Sequence, residues 1–163
     1  MTRALFVAAV CLLSTSCLYH LKGGGLPANI KTVAVLPFEN ETATPELQRE
    51  LNEALRKAMA SRLGLHEAPE DKASAIVRGT IVRYAPDEAV AFSANPSQAT
   101  TSRRRLQVVI DVEIVDQSTG KAIWTGRGIS AQGEYAENAE ASGRKQAVER
   151  LVNLVIEGAQ SQW

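Results

Sequence analysis

Leu106, Val108, Ile110, Val112 and Ile114 put an apolar side chain on every second residue. Gln107, Asp111 and Glu113 stand on the alternate positions, with Val109 and Val115 among them. A two-residue period of this length predicts a long strand over residues 103–116, with one face covered and the other wetter. This constrains the fold strongly. Whatever covers such a sheet lies on one side, so the helices of the chain are expected to share a face.

The flanking segments supply the remaining elements. Residues 32–38 (TVAVLPF) are apolar on consecutive positions and suit a strand covered on both faces, often a parallel one. Thr44-Pro45-Glu46 reads as a helix start, with a hydroxyl cap, proline at the first position and a carboxylate in the first turn. Leu47, Leu51, Ala54, Leu55, Ala58, Met59 and Leu63 then recur at helical spacing, and Gly64 suits a left-handed stop. Residues 75–84 form a second strand. Strand, helix and strand in that order favour a right-handed crossover with parallel pairing. Residues 85–102, with Pro86, Asn95, Pro96 and a Ser/Thr cluster, read as a long polar loop, a class that is uncommon and tends to be functional. Residues 116–120 have hairpin turn chemistry, and residues 121–132 run back with Ile123, Trp124 and Ile129.

A second helix is expected over residues 136–158. Its core stripe is Ala147, Leu151, Leu154 and Val155, widened by Val148, Val152 and Ile156. Gly143 should weaken its first half by ~1 kcal/mol relative to alanine. The order β-α-β-β-β-α predicts an α+β domain, a four-stranded mixed β-sheet with two α-helices packed on one face.

The first residues have a different character. Arg3 supplies a positive charge, residues 4–13 are an unbroken apolar run, and Ser14-Thr15-Ser16 leads to Cys17. This is the plan of a secretory signal, and the run is short of the ~20 residues that cross a bilayer as a helix. A cysteine directly after small residues marks the bacterial lipoprotein type, in which the thiol takes a diacylglycerol before cleavage. The usual leucine three residues before that cysteine is Ser14 here, with Leu13 one position further out. The other reading is an ordinary secreted protein with a cysteine near its start. The expected division is a signal peptide over residues 1–16, a flexible leader over 17–30 containing Gly23-Gly24-Gly25 and Pro27, and a single domain over 31–163.

Composition excludes several function classes. Cys11 lies in the signal, so the mature chain has no cysteine pair and no thiol cluster for a metal. The formal charge is balanced at 18 basic and 18 acidic residues, and loss of Arg3 puts the acids ahead by one. Nucleic-acid binding wants a basic surface, and none is advertised. His20 and His66 have no companions at ligand spacing, and Ser118-Thr119-Gly120-Lys121 lacks the upstream glycines of a phosphate loop. Asp111 and Glu113 fall on one side of a strand about 7 Å apart, but a glycosidase pair needs a cleft with aromatic walls, and aromatics are scarce. No catalytic residue, metal site or cofactor is expected. Two features remain: the wetter sheet face, and the run Arg103-Arg104-Arg105 at the junction of the long loop and a strand. Alternation puts Arg103 and Arg105 on the face opposite Arg104, and arginine forks suit phosphate and carboxylate groups. A solvated strand end is the plainer reading.

Several stretches in order resemble one family. Cys17-Leu18-Tyr19-His20-Leu21-Lys22-Gly23 resembles the mature start of the lipopolysaccharide-assembly lipoproteins, the LptE family. So do Leu26-Pro27, Ile30 to Val35, Pro37-Phe38-Glu39-Asn40 with Thr42, Gly79-Thr80-Ile81, Thr119-Gly120-Lys121 with Trp124, and Gly133-Glu134-Tyr135. The resemblance implies two helices on a four-stranded sheet and a tether through Cys17 to the outer membrane, on its periplasmic side. It also implies an LptD-type β-barrel as partner, which such a subunit plugs and helps assemble, contact with lipopolysaccharide, and no turnover. Arg103, Arg104 and Arg105 are the candidates for that contact by position and chemistry, not by a shared motif. The alternative is an accessory lipoprotein of another envelope secretion channel, resembling the curli-secretion class.

Overall fold

The computed structural model describes residues 26–92 and 101–161, with backbone alone for 87–92 and 101–102. The expected signal, Cys17, His20 and the expected leader as far as residue 25 lie outside the described residues. The elements are β1 (Thr32–Val35), β2 (Glu39–Asn40), α1 (Pro45–Leu63), β3 (His66–Glu67), β4 (Ala75–Phe92), β5 (Thr101–Asp116), β6 (Ala122–Tyr135) and α2 (Glu140–Ser161), with a 3-10 turn at Glu70–Lys72. The α+β class and the two helices are as expected. The sheet has six strands in place of four, in the order β3-β1-β4-β5-β6, with β2 pairing β4 beyond the end of β1.

The extra strands have local causes. Pro37 cannot donate to a ladder, so the expected first strand breaks after Val35. Its pairing with β4 shifts from Val33↔Ala75 to Glu39↔Thr80, leaving one additional residue on this side. The break turns Phe38 inward, where it is fully buried. Its ring lies over Gly79, where a Cβ would sit 2.6 Å from Phe38 Cε1. β3 is a two-residue parallel addition on β1, placing His66 exposed at the sheet edge.

The expected loop over residues 85–102 is corrected most. β4 and β5 stay paired from Ala75↔Asp116 to Phe92↔Thr101, so strand occupies all of it except 93–100, which lie outside the described residues. Pro86 is tolerated because β2 ends its pairing at Ile81, leaving β4 an edge strand there, and a register shift between Ala85 and Glu88 absorbs the irregularity.

Both helices cover the face that carries Leu106, Val108, Ile110, Val112 and Ile114, all buried as the alternation requires. α1 contributes Leu47, Leu51, Leu55 and Met59, and ends at Gly64 (φ 65°). Thr44 makes no side-chain cap. The turn before α1 is held instead by Asn40, whose Oδ1 accepts from the Thr42 backbone N–H at 3.0 Å and whose Nδ2 donates to the Thr44 carbonyl at 3.0 Å. α2 buries Ala147, Leu151, Val152, Val155, Ile156 and Ala159. Leu154, counted in the stripe from sequence, is 42% exposed. Gly143 is no weak point in the helix: a Cβ there would meet the Tyr135 ring at 2.7 Å, so glycine lets α2 settle on β6.

The chain enters this domain at one end of the sheet. Ile30 is buried, the Lys31 and Thr32 N–H groups donate to Ser74 Oγ at 3.0 and 2.9 Å, and Asn29 Nδ2 donates to Asp116 Oδ2 at 3.3 Å. Asp116 also accepts from the Ser118 hydroxyl and N–H. These donors, the hydroxyl foremost, hold its carboxyl below the usual carboxylate range against a smaller opposing effect of desolvation.

Candidate functional site

The arginine run lies at the opposite end. Arg103 pairs with Ala91, Arg104 with Ala89 and Tyr135, and Arg105 with Glu88 and Glu134. The sheet's two-residue period therefore keeps Arg103 and Arg105 on the open face with Gln107, and Arg104 on the opposite side with Leu106 and the buried Tyr135. Glu134 brings the first two together. Its Oε2 is 3.3 Å from Arg103 Nη1, and its Oε1 is 3.5 Å from Arg105 Nη2. The Glu134 backbone N–H donates to Gln146 Oε1 of α2 at 2.9 Å, fixing the main chain beneath the carboxylate. The Arg103 side chain is 67% exposed and that of Glu134 40%, so these are surface pairs of the kind worth about 0–1 kcal/mol. The arrangement presents guanidinium groups on an open sheet face, suited to binding an anion.

The two carboxylates considered for hydrolysis have other partners. Asp111 Oδ1 accepts from the Gly128 N–H at 2.6 Å. It thereby closes a bulge in which Arg127 and Gly128 (φ 61°) oppose a single residue of β5. Glu113 Oε2 accepts from both Nε and Nη2 of Arg78, at 3.0 and 2.9 Å. They share a shallow groove of about 510 Å³ with Thr80 and Arg127, open to solvent and without an aromatic wall. Among the described residues no group of histidines, cysteines and carboxylates is arranged to hold a metal ion.

A second polar cluster left little trace in the sequence. The Tyr84 hydroxyl on β4 donates to Glu140 Oε1 at the start of α2. Arg144, one turn on, donates through Nε and Nη2 to the two Glu50 oxygens of α1, at 2.9 and 3.0 Å. The only advance signal was the four-residue spacing of Glu140 and Arg144, whose side chains approach to 3.8 Å. Burial, and then the hydrogen bond and charge of Glu140, push the Tyr84 phenol well above its ordinary range, with Arg144 pulling the other way. A phenol raised in the folded state stabilises the fold fully below its unfolded pKa of about 10 and loses that contribution as pH rises beyond it. Denaturant midpoints should therefore fall from about pH 10 upward, and Tyr84→Phe should flatten that decline. Equal alkaline slopes in the two proteins would contradict the assignment.

The family model for lipopolysaccharide assembly, LptE, matches residues 30–157. A search of curated protein sequences finds no significant match. Solved structures share the fold at low identity. The PelC dodecamer from Paraburkholderia phytofirmans is 18% identical with a TM-score of 0.51, over 83% of this chain and 93% of that one. Protein CT253 from Chlamydia trachomatis is 13% identical with a TM-score of 0.57, over 82% and 97%. XCC0632 from Xanthomonas campestris is 11% identical with a TM-score of 0.53, over 84% and 87%. These likenesses concern fold alone. The family match is of another kind, because it runs from the buried Ile30 through the whole sheet and into α2. It takes in Phe38 on Gly79, Trp124, and Gly133 under Gly143, the contacts on which the packing turns. The chain belongs to the LptE family of lipopolysaccharide-assembly lipoproteins.

Proposed function

We propose that this protein is the lipid-anchored subunit of a lipopolysaccharide translocon at the outer membrane. It is tethered through Cys17 on the periplasmic side and plugs an LptD-type β-barrel that it helps assemble. It meets lipopolysaccharide through Arg103, Arg104 and Arg105 and performs no turnover of its own. The observation that carries this reading is the family match over residues 30–157. The placing of the two ends supports it. The leader joins the domain beside Asp116, and Arg104 lies twelve residues back along β5, about 40 Å away. The leader and the arginine run thus lie at opposite ends of the sheet. No described helix is long and apolar enough to cross a membrane.

A second reading is an accessory lipoprotein of another secretion channel, which would associate with copies of itself as the PelC dodecamer of similar fold does. Pull-down of the tagged protein from gently solubilised outer membranes separates the two. The expected result is an LptD-type barrel in near-equal amount. Recovery of self-associated protein or another channel, with no such barrel, would overturn the first reading.

A further inference from the structure

Glu134 occupies the position between Arg103 and Arg105 that an incoming anion would take. We infer that its carboxylate is a built-in competitor for the arginine end of the sheet, one that an incoming phosphate group must displace. This rests on the reading of that end as an anion site.

The geometry has the properties a displaceable occupant needs. Both contacts, at 3.3 and 3.5 Å, are longer than the tightest charge-assisted bonds. The carboxylate stands on a side chain 40% exposed, so it can swing into water without opening the core. Its backbone stays in place when it moves, because the Glu134 N–H is held by Gln146 and its strand by β5.

Selectivity follows from charge. Glu134 is intramolecular and holds the site at a high effective concentration. As an occupant it weakens every ligand by the same factor, so the preference for phosphate comes from the two guanidinium groups themselves. A phosphate monoester carries about −1.5 to −2 charges at neutral pH and three acceptor oxygens. It attracts two guanidinium groups more strongly than a single carboxylate does, and it repels Glu134 as it arrives.

The test uses full-length protein captured in mild detergent and titrated with purified lipopolysaccharide, intact or enzymatically dephosphorylated. Glu134→Gln keeps the size of the side chain and removes its charge. It should tighten binding of the intact glycolipid about threefold to tenfold and leave the dephosphorylated form nearly unchanged. The double variant R103A/R105A should weaken binding of the intact form. Weakening by R103A/R105A with no tightening by Glu134→Gln would overturn the competitor role and leave the arginine site standing. Equal tightening toward both glycolipids would overturn the assignment of the site to phosphate. Wild-type affinity in R103A/R105A would remove the arginine site, and the inference with it.

Discussion

Gly133→Ala should destabilise the domain by about 3–4 kcal/mol, lowering the melting temperature by roughly 10 °C or more. A Cβ built on Gly133 lies 1.8 Å from the Gly143 carbonyl oxygen and 2.6 Å from its carbonyl carbon. Both partners are backbone, one in β6 and one in α2, so no rotamer change relieves the clash. The helix has to rise from the sheet, and every apolar contact along its buried face loosens with it. Gly128→Ala is the control. Gly128 also belongs to β6 and has φ 61°, but nothing lies within 4 Å of its missing Cβ. Its substitution should carry only the left-handed backbone cost of about 1–2 kcal/mol. Thermal unfolding of the two variants measures the difference. Similar losses would mean that the close approach of α2 to β6 contributes nothing beyond backbone conformation.

The same contact shows what sequence reasoning could and could not reach. By helix propensity Gly143 is a defect, and alanine there should stabilise the helix. By packing it is required, because the Tyr135 ring occupies the space an alanine methyl would need. Propensity is a property of one helix, whereas this constraint belongs to a helix and a strand together. The alternation from Leu106 to Ile114 was legible because burial of one sheet face leaves a period in the sequence itself. Strand over residues 85–92 was not, since Pro86 and the two acids after it read as a break in the sequence, whereas the pairing with β5 carries the strand on past them. Pro37 was visible, yet its effect of splitting one strand and turning Phe38 onto Gly79 depends on β4 lying alongside.

For the candidate site, the division of Arg103 and Arg105 from Arg104 was readable from parity alone. Glu134 was not, because it meets them only through the register Arg105↔Glu134 between β5 and β6. Hairpin registers depend on turns and bulges as well as on pattern, and the bulge opposite Asp111 shifts this one. The family resemblance had already drawn attention to Gly133-Glu134-Tyr135. In the fold these three residues act separately. Gly133 permits the close approach of α2, Glu134 sets a carboxylate between two arginines, and Tyr135 lays its ring against Gly143.

Arg144→Met should cost about 2–3 kcal/mol, and adding Glu50→Gln to it should recover part of the loss. The Arg144 side chain is only 13% exposed and bridges the helices through Glu50, with Glu140 and Tyr84 beside it. The paired Glu50 carboxylate, foremost among its neighbours, holds the guanidinium more firmly protonated than usual, against the opposing effect of burial. Methionine preserves much of the apolar stem, so the loss reports the charge and its hydrogen bonds more than packing. What makes the single change costly is the pair of carboxylates it leaves behind. Glu50 loses its donors in a partly buried position, and Glu140 loses the positive charge between it and Glu50. Removing one partner of a well-buried pair costs about 3–5 kcal/mol, and the figure is reduced here because Glu50 is 29% exposed. With Glu50→Gln also present, a neutral amide replaces the stranded charge, and the double variant should unfold at a higher denaturant concentration than Arg144→Met alone. Additive losses in this cycle would show that Arg144 acts by filling space. Recovery would show that charge helps to fasten the two helices where polar groups meet between them.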